Sequence, residues 1–237
     1  MIETYTLESV IYRVLKAVLG PILWAIWRPQ VEGLHHVPES GPAILASNHL
    51  AVFDSVFLPL VVKRHITFIA KSDYFTGAGL KGSLTRAFMG VVGAIPVDRA
   101  GGDAAHASLG TGRRILSEGQ LFGIYPEGTR SPDGRLYRGK TGVARLALET
   151  GASVVPVVMV NTGELQPIGK RLPSRGRVRI RIGPPLDFGR YSGLVGDRTV
   201  ERAVTDEVMD ALRELSGQEY VDEYAAKIKD RKKDQEA

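Results

Sequence analysis

From residue 30 onward, short apolar runs alternate with longer stretches of helical spacing. This alternation restricts the fold more than any other feature of the 237-residue chain. The apolar runs are residues 42–46, 66–70, 94–97, 121–125 and 153–160, and the helical stretches are 54–62, 79–90, 103–118 and 139–150. Strands that read apolar on both faces need cover on both, and intervening helices supply it. The pattern predicts an α/β fold with a mostly parallel sheet covered by helices. Residues 176–182 depart from the rule. There Val178, Ile180 and Ile182 alternate with Arg177, Arg179 and Arg181, which predicts a half-buried strand with one cationic face. A last amphipathic helix is expected over 199–215, and the charged residues 221–237 read as a tail that frays from Lys227.

The first 28 residues carry a different pattern. Leu7, Val10, Ile11, Val14, Leu15, Val18 and Leu19 recur at helical spacing, with Ser9, Arg13 and Lys16 on the other face. Gly20-Pro21 is expected to break that helix and leave a second short piece over 22–27. Trp24 and Trp27 suit the headgroup level of a bilayer, and Arg13, Lys16 and Arg28 suit anionic lipid. Residues 1–28 are therefore read as an N-terminal amphipathic membrane hook, and 29–220 as one α/β domain. A helix packed on that domain would carry the same pattern. No stretch of about 20 apolar residues is present to span a bilayer. The start, Met1-Ile2-Glu3-Thr4, lacks the basic region of a secretory signal.

The chain has no cysteine, which excludes disulfides and thiolate metal sites. Its five histidines show no metal-ligand spacing, so no metal is expected. A balance of 31 Lys+Arg against 26 Asp+Glu suits a partner that carries phosphate.

The candidate chemistry starts at Asn48-His49-Leu50-Ala51-Val52-Phe53-Asp54. An imidazole takes a proton from a hydroxyl when a carboxylate on its other nitrogen fixes the tautomer and stabilises the cation. Residues five apart on one helix point about 140° away from each other. The pair can meet only across a bend, with His49 on a loop after the strand at 42–46 and Asp54 in the first turn of the next helix. Taken alone, the pair is equally served by an Asp that starts a helix and a His on a loop. Further polar clusters follow at strand ends, where ligands bind in open α/β sheets. Residues 93–99 deliver Arg99, and Tyr125-Pro126-Glu127-Gly128-Thr129-Arg130-Ser131 gathers a carboxylate, an Arg and two hydroxyls. Arg99 and Arg130 at converging strand ends form a phosphate clamp, since guanidinium meets phosphate oxygens bidentately. The apolar strand Val154-Val155-Pro156-Val157-Val158 comes after them.

In this order the four blocks resemble the glycerolipid acyltransferase family, most of all its bacterial 1-acylglycerol-3-phosphate acyltransferases. The resemblance covers roughly residues 30–190; its second block departs from the pattern with Pro96 where an aromatic is frequent. It implies transfer of a fatty acyl group to the free hydroxyl of 1-acylglycerol-3-phosphate (lysophosphatidic acid), giving phosphatidic acid. The donor would be the thioester of acyl-CoA or acyl-carrier protein, with no other cofactor. By that resemblance His49 is the general base and Asp54 its orienting partner. Arg99, Glu127, Gly128, Thr129 and Arg130 build the acceptor site, and Lys140 is a further basic group. The implied setting is a membrane phospholipid surface on the cytoplasmic face of the cell membrane, reached by a monotopic or peripheral protein with no nucleic-acid partner.

Two alternatives stand beside this reading. Gly134-Arg135-Leu136-Tyr137-Arg138-Gly139-Lys140-Thr141 matches the nucleotide-binding pattern G-x-x-x-x-G-K-[ST], although a turn rather than a strand leads into Gly134. The other alternative is a membrane-surface lipid-binding protein without catalysis.

Overall fold

The computed structural model describes residues 7–91, 93–97 and 104–236. It opens with α1 (Leu7–Trp27) and the short strand β1 (Gln30–Glu32). Next, β2 (Ala43–Ser47) leads into α2 (Asp54–Val61), β3 (Ile66–Lys71) into α3 (Asp73–Thr76) and α4 (Gly79–Val91), and β4 (Ala94–Val97) into α5 (Ala104–Ser117). After β5 (Leu121–Ile124) the chain passes through turns and β6 (Leu136–Tyr137) before α6 (Gly142–Thr150). The rest is β7 (Ser153–Met159), α7 (Thr162–Leu165), β8 (Arg179–Ile182), α8 (Arg198–Ser216), β9 (Tyr220–Val221) and α9 (Ala225–Glu236).

The main sheet has the strand order β1-β8-β7-β2-β5-β3-β4. Strands β7, β2, β5, β3 and β4 are mutually parallel. Strand β8 runs antiparallel to β7 and carries β1 parallel to it at the edge. Alternate side chains serve the two faces. Ile44, Phe122, Val154 and Val158 pack with Ile115, Leu146, Val208 and Leu212 under α5, α6 and α8. Ala43, Leu45, Val155 and Val157 pack with Trp27, Phe57 and Leu58 under α1 and α2. The expected mostly parallel sheet between helices is thus the observed architecture. The expected alternation along β8 is also present, with Val178, Ile180 and Ile182 buried and Arg177 and Arg179 exposed. Asp197 starts α8 by accepting hydrogen bonds from the amides of Thr199 and Val200 at 2.8 and 3.2 Å.

The ends of the chain differ from expectation. Gly20-Pro21 does not break the first helix; α1 runs through both residues. The lost amide costs a hydrogen bond, but packing on α2 and α4 holds the helix together. A Cβ at Gly20 would come within 3.6 Å of Leu60 Cδ1, so the two helices approach closely there. Trp27 is buried, donates from its indole to the Ser174 carbonyl at 2.9 Å, and packs edge-on to Phe57. The expected boundary at residue 28 therefore falls beside a core residue. The C-terminal residues expected to fray form α9, with Ala225 buried at its start. Just before it, β9 pairs with β6 in a small parallel sheet, Leu136 opposite Tyr220 and Tyr137 opposite Val221.

Candidate active site

The chain turns sharply between β2 and α2, and Asn48 fixes the turn. Its amide bonds both backbone groups of Met159 at the end of β7 (2.8 and 3.0 Å) and donates to Gln218 Oε1 at 2.7 Å. The bend brings His49 Nδ1 to 3.0 Å from Asp54 Oδ2. The same oxygen accepts the amides of Leu50 (2.7 Å) and Ala51 (2.8 Å). Asp54 is fully buried, and a buried carboxylate persists only with such donors around it. With Nδ1–H given to Asp54, Nε2 keeps its lone pair. The His49 side chain remains 17% exposed.

Three rings in a row hold the imidazole plane. His49 stacks on Tyr125 with centroids 3.9 Å apart, and Tyr125 lies 5.7 Å from Phe68. The Tyr125 hydroxyl bonds Ser55 Oγ at 2.8 Å. Burial, and then the charge of Asp54, push the phenol well above its usual range, so it stays neutral. Phe68 can lie flat only because Gly123 stands opposite it in the β3–β5 register; a Cβ there would meet Phe68 Cε1 at 2.3 Å. Sequence reading missed Gly123 and Phe68 because the row depends on strand register. Tyr125 opens the third block and could have been found there.

The third block forms a turn in which Gly128, at φ +73°, bonds back to the Tyr125 carbonyl at 2.9 Å. Glu127 is buried. It is 1% exposed and accepts the His49 amide at 3.3 Å and the Tyr137 amide at 2.9 Å. Burial pushes its carboxyl up to about 7 against the pull of those two amides and of Lys229. Glu127 thus braces the two loops. Ser131 ties the same loops by donating its amide to the His49 carbonyl at 2.7 Å.

Around this turn the basic residues gather. Lys140 donates its amide to Pro126, and its side chain lies along Gly128, with Nζ 3.2 Å from where a Cβ would stand. Arg130 is half-buried, and among the described residues neither it nor Lys140 makes an ion pair. Thr129 Oγ1 accepts from Lys229 Nζ at 2.7 Å. Lys229 was not singled out in the sequence, where it is one more charge in a basic tail. Arg99 lies outside the described residues. The stretch 134–141 gives the nucleotide alternative no scaffold: Leu136 and Tyr137 are buried in β6, and β5 ends at Ile124, well before Gly134.

Residues 28–160 match the family model described as Acyltransferase. The chain is 30% identical over 166 residues to the chloroplastic 1-acyl-sn-glycerol-3-phosphate acyltransferase LPAT1 of Arabidopsis thaliana, covering 69% of this chain and 45% of that protein. To 1-acyl-sn-glycerol-3-phosphate acyltransferase alpha of Ovis aries it is 30% identical over 162 residues, 67% of this chain and 54% of the relative. The chain thus spans about half the length of these curated relatives. The crystal structure of the 1-acyl-sn-glycerophosphate acyltransferase PlsC from Thermotoga maritima has the same fold, with a TM-score of 0.65 at 24% identity over 88% of this chain and 81% of that one.

Proposed function

The chain belongs to the Acyltransferase family, and on that premise we propose that it acylates 1-acylglycerol-3-phosphate to phosphatidic acid, using an acyl-CoA or acyl-carrier-protein thioester. The observation that carries the reading is the 3.0 Å bond from His49 to a fully buried Asp54. His49 Nε2 takes the proton of the acceptor hydroxyl as its oxygen attacks the thioester carbonyl. Asp54 stabilises the imidazolium that forms, and the imidazolium returns the proton to the departing thiolate. One C–O bond forms, one C–S bond breaks, and no acyl-enzyme is needed. General-base help of this kind contributes ~10²–10⁴-fold in rate. Arg130 and Lys140, with Arg99, take the acceptor phosphate.

The acceptor's acyl chain sits in a bilayer, so the site works at a membrane surface. Supporting this, α1 turns Val14, Val18, Ile22 and Trp24 outward, with Val18 60% exposed, while Lys16 points inward to the Val62 carbonyl. Exposed Ile168 and Leu172 add apolar surface, and Arg28, Arg175 and Arg177 line a pocket at the end of α1. Among the described residues no helix is long and apolar enough to cross a membrane. We read the protein as monotopic, dipping into one leaflet on the cytoplasmic side. Because Trp27 belongs to the core, the contact is tested with Val18→Asp, Ile22→Asp and Trp24→Asp together rather than by truncation. The triple variant is expected to stay folded and stop sedimenting with anionic liposomes; unchanged sedimentation moves the membrane contact elsewhere.

The activity is tested with purified protein and a panel of acyl-CoAs, offering lysophosphatidic acid beside its dephosphorylated analogue. Thiol release that requires lysophosphatidic acid is the expected result. Lipid-dependent ATP turnover without thiol release would instead favour the nucleotide alternative.

A further inference from the structure

The C-terminal segment is held against the active-site turn by contacts that do not need Lys229. Arg138 donates its amide to the Val221 carbonyl at 3.1 Å and its guanidinium to Asp222 at 3.1 Å. The same guanidinium lies 5.8 Å over the Tyr224 ring, and Arg231 pairs with Glu223 at 2.8 Å. Ala225 is buried beneath the start of α9. With the helix fixed this way, the chain still places the Lys229 ammonium on Thr129 Oγ1. Lys140 Nζ already lies beside Gly128, and Arg130 is the next residue along. Lys140 beside Gly128, Lys229 on Thr129 and Arg130 next in the chain put three basic residues on one turn, and such groups bind phosphate oxygens through charge-assisted hydrogen bonds. The carboxylate beneath, Glu127, has both oxygens engaged by backbone amides.

We infer that Lys229 is a further substrate-binding residue, supplied from the far end of the chain, which closes a cationic cradle over Gly128, Thr129 and Arg130 around the phosphate monoester of the acceptor. The inference rests on the proposed acceptor site. It adds a group from outside the segment matched by the family model, which ends at residue 160. The competing role is purely structural: Lys229 would then only fasten Thr129 and offset the charge of Glu127.

The test uses full-length Lys229→Met and Lys229→Arg, with short-chain lysophosphatidic acid and the uncharged monoacylglycerol as acceptors. A lost charge-assisted contact changes affinity about tenfold or more. Lys229→Met is expected to raise KM for lysophosphatidic acid by that factor with far less change in kcat, and to affect monoacylglycerol much less. Lys229→Arg restores most of the loss. Equal losses on both acceptors, or an unchanged KM for lysophosphatidic acid, overturn the inference. Calorimetric titration of the same lipids into wild type and Lys229→Met separates this result from the proposed activity. If wild type binds lysophosphatidic acid but does not acylate it, the activity reading falls, and a tenfold weaker affinity in Lys229→Met upholds the cradle. Equal affinities, or no binding by wild type, overturn the cradle as well.

Discussion

The loop after β2 and the turn after β5 lie at the ends of neighbouring strands, yet they are built in opposite ways. In the first, nearly every polar group is spent within the protein: Asp54 on three donors, Asn48 on Met159 and Gln218, the His49 ring on Tyr125. In the second, Arg130 and Lys140 make no ion pair among the described residues. One region holds an imidazole in a fixed orientation, and the other presents positive charge that the described residues do not pair. Damage to the first should appear in kcat, and damage to the second in KM and acceptor choice.

His49→Ala strikes the preset side hardest. We expect kcat to fall ~10²–10⁴-fold, with KM and the thermal midpoint little changed. A folded His49→Ala protein with near-normal turnover would falsify the dyad.

Glu127 sits on the seam between the two regions, and its effect is on stability. Its folded-state value of about 7 lies above the ordinary 4.5, so ionisation is penalised in the fold. Its stability contribution is full below about pH 4.5 and is lost as pH rises through about 7, in total on the order of 3 kcal/mol. Urea denaturation across this range should show wild type losing stability with pH. Glu127→Gln should lack that component of the slope, and parallel slopes would show that Glu127 ionises without penalty.

Gly123→Ala breaks the preset side without touching the dyad. The added Cβ drives Phe68 against Tyr125 and tilts the imidazole, and a misplacement of about 1 Å costs ~10² in rate. Steady-state kinetics should show the loss in kcat with KM preserved; a loss confined to KM would mean the ring row does not hold His49.

Arg130→Ala is the mildest change and the sharpest test of the second region. The kcat/KM for lysophosphatidic acid is expected to fall about tenfold, with a smaller loss on monoacylglycerol. Matching losses on both acceptors would make Arg130 structural.

What could be read from the chain follows the same division. The alternation between residues 42 and 160 announces a helix-covered parallel sheet because its parallel strands are mostly apolar on both faces. The spacing of His49 and Asp54 announces a bend because no single helix lets them meet. For Glu127 the sequence shows a carboxylate in a polar turn but not the two amides that it accepts from. Gly20-Pro21 was misread because tertiary packing on α2 and α4 overrode a local helix breaker. Gln218 and Lys229 were invisible because they act across 170 and 100 residues on Asn48 and Thr129. No periodicity encodes such contacts.

The pairing of Leu136-Tyr137 with Tyr220-Val221 has a consequence for the order of synthesis. A ribosome delivers about 5–20 residues per second, so His49, Asp54 and Glu127 are synthesised several seconds before residues 218–231. Until then Asn48 lacks its Gln218 partner, Leu136 lacks the Glu219 carbonyl that takes its amide, and Thr129 lacks Lys229. The loops after β2 and β5 are therefore made well before the segment that fastens them. Both loops gain these partners only once residues 218–231 have folded back over them.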